Sequence, residues 1–313
     1  MRGGRLGQKG DFLFAFSYAE VYNYIMNSLI DKLKYYRYRF LWNVAPLRRC
    51  PQPIHLDLEL ANHCTLKCPM CYHSQNPLPF TKGYMPTAKA FAILQAAANF
   101  GFKSVKLNWR GEALLHKDYA EIIKFASGSG FSDIMVNTCA VGVPEKNLRA
   151  AAKYATDLRI SHDEYHAAGA LTWEQARERV RWMIRYYRPK HMRPIIIQRR
   201  DDVPQQDFMQ EGYRVITAPP LKRGVEGVGI DVSKAKRKYC GQPSRRIVIS
   251  WQGLVFGCCV AYSQPLELMY GDWTDAFVRD GMADKRANLI KNLKRGDLPH
   301  PCKSCTSRDA YKL

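Results

Sequence analysis

The sequence predicts an α/β protein built around a parallel sheet. Short apolar runs recur along the chain at Ile54–Leu60, Ser104–Trp109, Ile134–Thr138, Leu158–Ser161, Pro194–Gln198 and Tyr213–Ile216. Between them lie stretches whose apolar residues return every three or four positions, the spacing of helices with one buried face. Strands that alternate with helices form βα units and hence a parallel sheet. A chain of 313 residues with 46% apolar content can bury a core of that size in one large or two modest domains.

In chain order, residues 1–10 place four glycines around Arg2 and Arg5 and read as a basic tail. From about Ser17 to Phe40 the residues Val21, Ile25, Leu29, Leu33 and Tyr36 mark an amphipathic helix. Its second half, Lys32 to Phe40, interleaves bases with aromatics. Such a mix suits phosphates and stacked bases; equally, the aromatic stripe is core and the bases its wet face. Pro46, Pro51 and Pro53 end this element. Ile54, Leu56, Leu58 and Leu60 then alternate as a strand with one buried face. Pro86 to Phe100 is an alanine-rich helix stopped by Gly101. Tyr119 to Ala126 and Trp173 to Tyr187 supply further helices.

The first strand runs into Cys64-Thr65-Leu66-Lys67-Cys68-Pro69-Met70-Cys71, which spaces its cysteines C-x3-C-x2-C. Three thiolates on a short loop hold three irons of a cubane and leave the fourth open, as a catalytic metal keeps a free position. A zinc loop is the alternative, although zinc knuckles usually pair C-x2-C with a second pair. With Met70 before the last cysteine, the loop resembles the cluster motif of the radical S-adenosylmethionine (SAM) enzymes. The resemblance implies a 4Fe-4S cluster on Cys64, Cys68 and Cys71 whose open iron binds SAM. It also implies reductive cleavage of SAM to a 5′-deoxyadenosyl radical, hydrogen abstraction from a substrate, and an electron donor such as flavodoxin or ferredoxin. The fold that follows is a partial (β/α)6 barrel with its site where the strands' C-terminal ends open.

Further residues carry the resemblance. Gly111-Glu112, after the second strand, matches the end of the family's Gly-Gly-Glu, with Arg110 in place of the first glycine. Asn137, with Thr138, stands where the family has Thr-Asn-Gly, and Ser161-His162-Asp163 resembles its Ser-x-Asp strand end. The resemblance thus implies cofactor contacts from Met70, Gly111, Glu112, Asn137, Ser161, Asp163 and Gln198. It places Arg110, His162, Arg199 and Arg200 nearer the substrate.

Beyond Gly224 the character changes. Arg246–Ser250 and Leu254–Phe256 flank Trp251-Gln252-Gly253 as a β-hairpin. Cys240, Cys258, Cys302 and Cys305 then offer four thiolates, enough for a closed second cluster or a structural zinc. Cys259 is an alternative to Cys258. The set resembles the Twitch domain, the shorter relative of SPASM, which implies an auxiliary 4Fe-4S cluster in an α+β unit of hairpin and helix. The expected organisation is residues 1–53 as basic tail and N-terminal helix, 54–225 as barrel and 226–313 as Twitch domain. Cys50, Cys139 and Cys259 are left as buried thiols.

Ten cysteines without a signal peptide argue against a secreted disulfide scaffold and for a reducing cytoplasm. No stretch is apolar enough to span a bilayer. The formal net charge of +20 favours a polyanionic partner, DNA or RNA. The basic stretches Lys32–Arg39, Arg185–Arg193, Lys234–Lys238 and Arg245–Arg246 are the candidate contacts. The expected substrate is a modified base carried on nucleic acid, including a hypermodified thymine of the phage type, flipped out to be reached. A Twitch-type dehydrogenase of an aminosugar-like metabolite and a peptide-modifying enzyme are the alternatives.

Overall fold

The computed structural model describes residues 18–45, 52–68, 71, 82–161, 172–186, 195–198, 214–217, 240–274 and 281–303. Six strands follow one another in parallel, as the βα alternation predicts. They are β1 (His55–Leu58), β2 (Ser104–Lys106), β3 (Asp133–Thr138), β4 (Asp157–Ser161), β5 (Ile195–Gln198) and β6 (Arg214–Thr217). The crossovers carry α2 (Thr87–Phe100), α3 (Tyr119–Gly128), α4 (Glu145–Tyr154) and α5 (Trp173–Tyr186). Gly101 closes α2 in the left-handed region at φ 99°, and its N–H returns to the carbonyls of Ala97 and Ala98. Helix α4 went unread in the sequence.

The C-terminal hairpin consists of β7 (Arg246–Ile249) and β8 (Leu254–Phe256), and a further strand, β9 (Met269–Asp272), pairs with β8. Strand β7 lies parallel to β1, with His55 opposite Arg246 and Leu58 opposite Ile249. The described strands therefore form one sheet in the order β6-β5-β4-β3-β2-β1-β7-β8-β9, which runs through the domain boundary expected near residue 226. Helices α6 (Gln242–Arg245), α7 (Gly281–Arg295) and α8 (His300–Lys303) complete the C-terminal part.

Two expectations are corrected. Strand β1 is buried on both faces and not on one. Leu56, Leu58 and Leu60 pack into the main core, while His55, Asp57 and Glu59 are buried on the alternate face. That face holds a polar network, and a buried charge survives only when paired. Asp57 accepts from Arg246 at 2.9 Å and lies 3.7 Å from Lys106. Burial pushes its carboxyl up, but these two cations outweigh burial and hold it well below the usual range. Ser104 Oγ lies 2.8 Å from His55 Nδ1 and donates to Asp133.

The second correction concerns α1 (Tyr18–Val44). The stripe read as its core face is exposed at Leu29, Leu33 and Tyr36. The buried side is the opposite one, where Tyr38, Trp42 and Ala45 sit against the beginning of the barrel. Trp42 lies edge-on to His55 at 5.4 Å, and its carbonyl accepts from Arg245 Nε at 2.8 Å. Helix α1 thus plugs the N-terminal end of the barrel.

Candidate active site

At the other end of the strands, the chain leaving β1 turns back over β2. The closeness of these two backbones explains Gly111: a Cβ there would meet Ala61 O at 2.5 Å and His63 O at 2.6 Å. The next residue is tied to the same segment, because Glu112 N–H donates to His63 O at 2.8 Å. Gly111-Glu112 therefore fixes the root of the cysteine loop. Thr65 Oγ1 secures the loop's other side by donating to Val141 O at 2.9 Å.

Cys64, Cys68 and Cys71 line one cavity of about 130 Å³ with Lys106, Asn108, Arg110, Gly111, Glu112, Asn137, Ser161 and Tyr262. Cys71 N–H donates to Cys68 O at 2.9 Å, so these two are folded in one turn. Among the described residues, no three His, Cys, Asp or Glu side chains lie close enough together to hold a single metal ion. The fit to a larger group rests on what the cavity offers. Four thiols line it, those of Cys64, Cys68, Cys71 and Cys139, and two buried amide oxygens, Asn108 Oδ1 and Asn137 Oδ1, have no hydrogen-bond partner. Unpartnered buried acceptors are costly and mark a place for a ligand's donors. This donor set suits a cluster held by thiolates and a small molecule bearing ammonium and hydroxyl groups.

Glu112 is buried and lines the cavity, and its carboxylate ties the turn after β2 to the end of β3. Its Oε1 accepts from Leu114 N–H, and its Oε2 accepts from Thr138 Oγ1 at 3.0 Å and Cys139 N–H at 2.8 Å. Burial pushes its carboxyl up, against the pull of these donors. The Cys139 side chain is hydrogen-bonded to it as well, so the roughly four acceptor positions of the carboxylate are met within the chain, and what it offers a ligand cation is its charge.

Arg110 was expected beside a substrate. Its guanidinium instead makes a two-pronged pair with Glu59, 2.7 Å at both contacts, with both side chains fully buried. It also donates to Tyr262 O at 3.2 Å and lies over the Trp109 ring at 4.3 Å. Trp109 in turn donates from Nε1 to Cys259 O at 2.7 Å and stacks on Tyr262. The arginine in place of the family's first glycine thus clamps the end of β2 to the C-terminal part. Glu59 completes the clamp by accepting from Trp251 N–H at 3.1 Å.

The structure brings together Cys64, Cys68, Cys71, Gly111, Glu112, Asn137 and Ser161. Gln198 ends β5, and of its side chain nothing is described. Met70, His162, Asp163, Arg199, Arg200 and Cys305 lie outside the described residues, as do Cys50 and Lys234–Lys238. Sequence reasoning missed Lys106, Asn108 and Cys139. The first two share the period-two face of β2 with Arg110, which was a usable signal. Cys139 was set aside as a spare thiol, yet it is hydrogen-bonded to Cys64 in the cavity wall, and that bond and its burial push its thiol up.

In the C-terminal part, Cys258 hydrogen-bonds Cys259 and lies near Cys240, and these neighbours with burial push its thiol up. The ionic neighbours of Cys259 are instead Arg246, Asp57 and Lys106, on the barrel side. Cys302 is half-buried against the core.

The basic stretches expected to grip phosphate fall elsewhere, where described. Lys32–Arg39 belongs to the helix that plugs the far end of the barrel. Arg245 is buried against Trp42, and Arg246 is paired with Asp57. No helix among the described residues is long and apolar enough to cross a membrane.

No family model and no curated protein sequence matches the chain. Solved structures do. BtrN in complex with AdoMet and 2-DOIA aligns with a TM-score of 0.55 at 16% identity, over 82% of this chain and 94% of that one. AnSMEcpe with bound AdoMet aligns at 0.57 and 12% identity, over 82% and 90%. Streptococcus suis SuiB bound to precursor peptide SuiA aligns at 0.50 and 14% identity, over 97% and 79%. At such identities the likeness is one of architecture. The chain has the fold of the radical SAM enzymes that carry Twitch- or SPASM-type extensions.

Proposed function

We propose that this protein is a radical SAM enzyme, with Cys64, Cys68 and Cys71 as ligands of a 4Fe-4S cluster. The observation that carries the proposal is the cavity in which these thiols meet Glu112, Asn108 and Asn137 at the strand ends. When bound and reduced by a donor such as flavodoxin or ferredoxin, cluster and SAM together supply a 5′-deoxyadenosyl radical that takes a hydrogen atom from the substrate. The chain's own part is positional. Gly111 lets the cysteine loop close on β2, and Glu112 holds the ends of β2 and β3 while setting its carboxylate beside the place of the SAM ammonium. Asn137 and Ser161 stand along the wall toward β4, where the ribose and its hydroxyls belong. Cys240, Cys258, Cys302 and Cys305 are assigned to an auxiliary 4Fe-4S cluster. Cys258 is preferred to Cys259 because it is the one near Cys240.

For the substrate, two readings each rest on an observation. The net charge of +20 favours a base carried on DNA or RNA, including a hypermodified thymine. The placement of Lys32–Arg39 on the helix at the far end of the barrel, and of Arg245 and Arg246 in contacts with Trp42 and Asp57, favours a small aminosugar-like molecule or a peptide. BtrN with 2-DOIA and SuiB with its precursor peptide are examples of each on this fold. The second reading agrees better with the described site.

Iron analysis tests the core of the proposal. Replacing Cys64, Cys68 and Cys71 with alanine is expected to remove one cluster and abolish formation of 5′-deoxyadenosine, while the other cluster stays. Unchanged iron per chain would show the ligands to be misassigned. Deuterium transfer into 5′-deoxyadenosine from labelled oligonucleotides, peptides and aminosugars then separates the substrate classes.

A further inference from the structure

Helix α1 buries one side and displays another that the proposed chemistry does not use. On the outer side Leu29, Leu33, Tyr36 and Phe40 are 49%, 60%, 65% and 65% exposed. They recur at steps of four, three and four residues, the a/d spacing of a heptad. At 3.6 residues per turn these four fall within an arc of about 60°, and Ile30, 43% exposed, lies beside them at an e position and widens the exposed apolar face to about 120°. Apolar residues at a and d form the seam along which helices pair. Tyr22 and Met26 continue the same spacing along the helical backbone toward its N-terminus.

The residues beside the seam decide what it accepts. Lys32 and Arg39 occupy g positions and Arg37 an e position, and all three are exposed. In a parallel pair of copies, Lys32 would face the other copy's Arg37. In an antiparallel pair, Lys32 would face Arg39. Like charges at e and g set partner choice by repulsion, so a second copy of this helix is a poor match.

We infer that the outer face of α1 is a docking seam for an acidic amphipathic helix of another protein, apolar at a and d and Glu- or Asp-rich at e and g. Because α1 plugs the N-terminal end of the barrel, such a partner sits at the opposite end from the cysteine loop and leaves the mouth open. The seam tethers the enzyme without touching its chemistry.

The test uses the full-length protein and two synthetic helices of several heptads, both Leu at a and d, one with Glu and one with Lys at e and g. The Glu helix is expected to bind in the micromolar range, weakening at least about tenfold when salt is raised to screen the flanking charges; the Lys helix is expected not to bind. The variant Lys32→Glu/Arg37→Glu/Arg39→Glu should reverse that preference, a gain that misfolding cannot produce. Leu33→Ser/Phe40→Ser should bind neither helix, with its helical circular dichroism kept. Binding of both helices alike, binding of neither, a preference for phosphatidylglycerol vesicles, or self-association in sedimentation would each overturn the inference. SAM cleavage, measured alongside, reports separately on the proposed enzyme activity.

Discussion

Where the barrel strands begin, Asp57 is held by Arg246 and Lys106, His55 and Asp133 share Ser104, and Tyr38 and Trp42 close the end. Where the strands finish, Asn108 and Asn137 turn partnerless amide oxygens into a cavity walled by thiols. Both ends are polar and both are buried. Unpartnered buried atoms occur at both, but at the first they face one another, His55 Nε2 lying 3.5 Å from Asp57 Oδ1, whereas at the second they line a cavity. The contrast separates a structural network from a site more clearly than charge or burial alone, and it locates the chemistry before any cofactor is considered.

The contrast can be broken most forcefully at the clamp between barrel and C-terminal part. Arg110→Leu strands the Glu59 carboxylate in a buried place, and losing one partner of such a pair costs about 3–5 kcal/mol. Denaturant melts should register that loss, and Glu59→Leu/Arg110→Leu should recover most of it. A single variant as stable as the parent would mean that the pair is not dry. Next in size is Gly111→Ala. Its methyl would displace the backbone beneath the cysteine loop, and a misplacement of that order lowers turnover roughly a hundredfold. The check is the rate of 5′-deoxyadenosine formation against iron content; an unaffected rate would remove Gly111 from the positioning role.

Glu112→Gln probes the site side of the comparison. Losing a charge-assisted bond to the SAM ammonium should weaken SAM binding by about 1.5–3 kcal/mol, with the iron content kept. An anaerobic titration with unaltered affinity would contradict the role.

The smallest effect sharpens the structural side. Burial and the nearby Asp157 push Asp133 up to about 6 from 3.8, so its contribution to stability is present below pH 3.8 and lost as pH rises through 6. Burial lowers His55 from 6.5 to about 4, so its contribution is present above 6.5 and lost as pH falls through 4. Between about pH 6 and 4 the two slopes oppose each other. Asp133→Asn removes one of them and should steepen the loss of thermal stability on acidification, by on the order of 1 kcal/mol per pH unit. Parallel Tm-versus-pH curves for parent and variant would count against this coupling.

The sequence made the strand–helix alternation legible because both periods are local, and it marked Cys64–Cys71 and Gly111-Glu112 because each motif is contiguous. It hid what depends on partners far along the chain. Arg246 reads as part of a basic patch until Asp57, 189 residues away, is found beside it. His55, Asp57 and Glu59 alternate with leucines as a solvent face would, and only closure of the sheet turns that face inward. In α1 the more regular apolar stripe, Leu29 to Phe40, was the outer one. The buried side relies on Tyr38 and Trp42, two large residues that fill the end of a barrel without a long repeat. Strand β9 escaped notice because it is short, contains Gly271 and pairs across an irregularity in β8.

The parallel pairing of β1 with β7 bears on how the chain is made. Strand β1 leaves the ribosome before the other described strands, and the strand that covers its second edge begins only at Arg246. Until then, β1 offers an open edge of unpaired backbone groups beside a loop of reactive thiols, a template for wrong pairing. So distant a pairing also makes closure slow. The sheet is finished late, and the cavity beside the cysteine loop is complete only when the chain as far as Tyr262 has been synthesised.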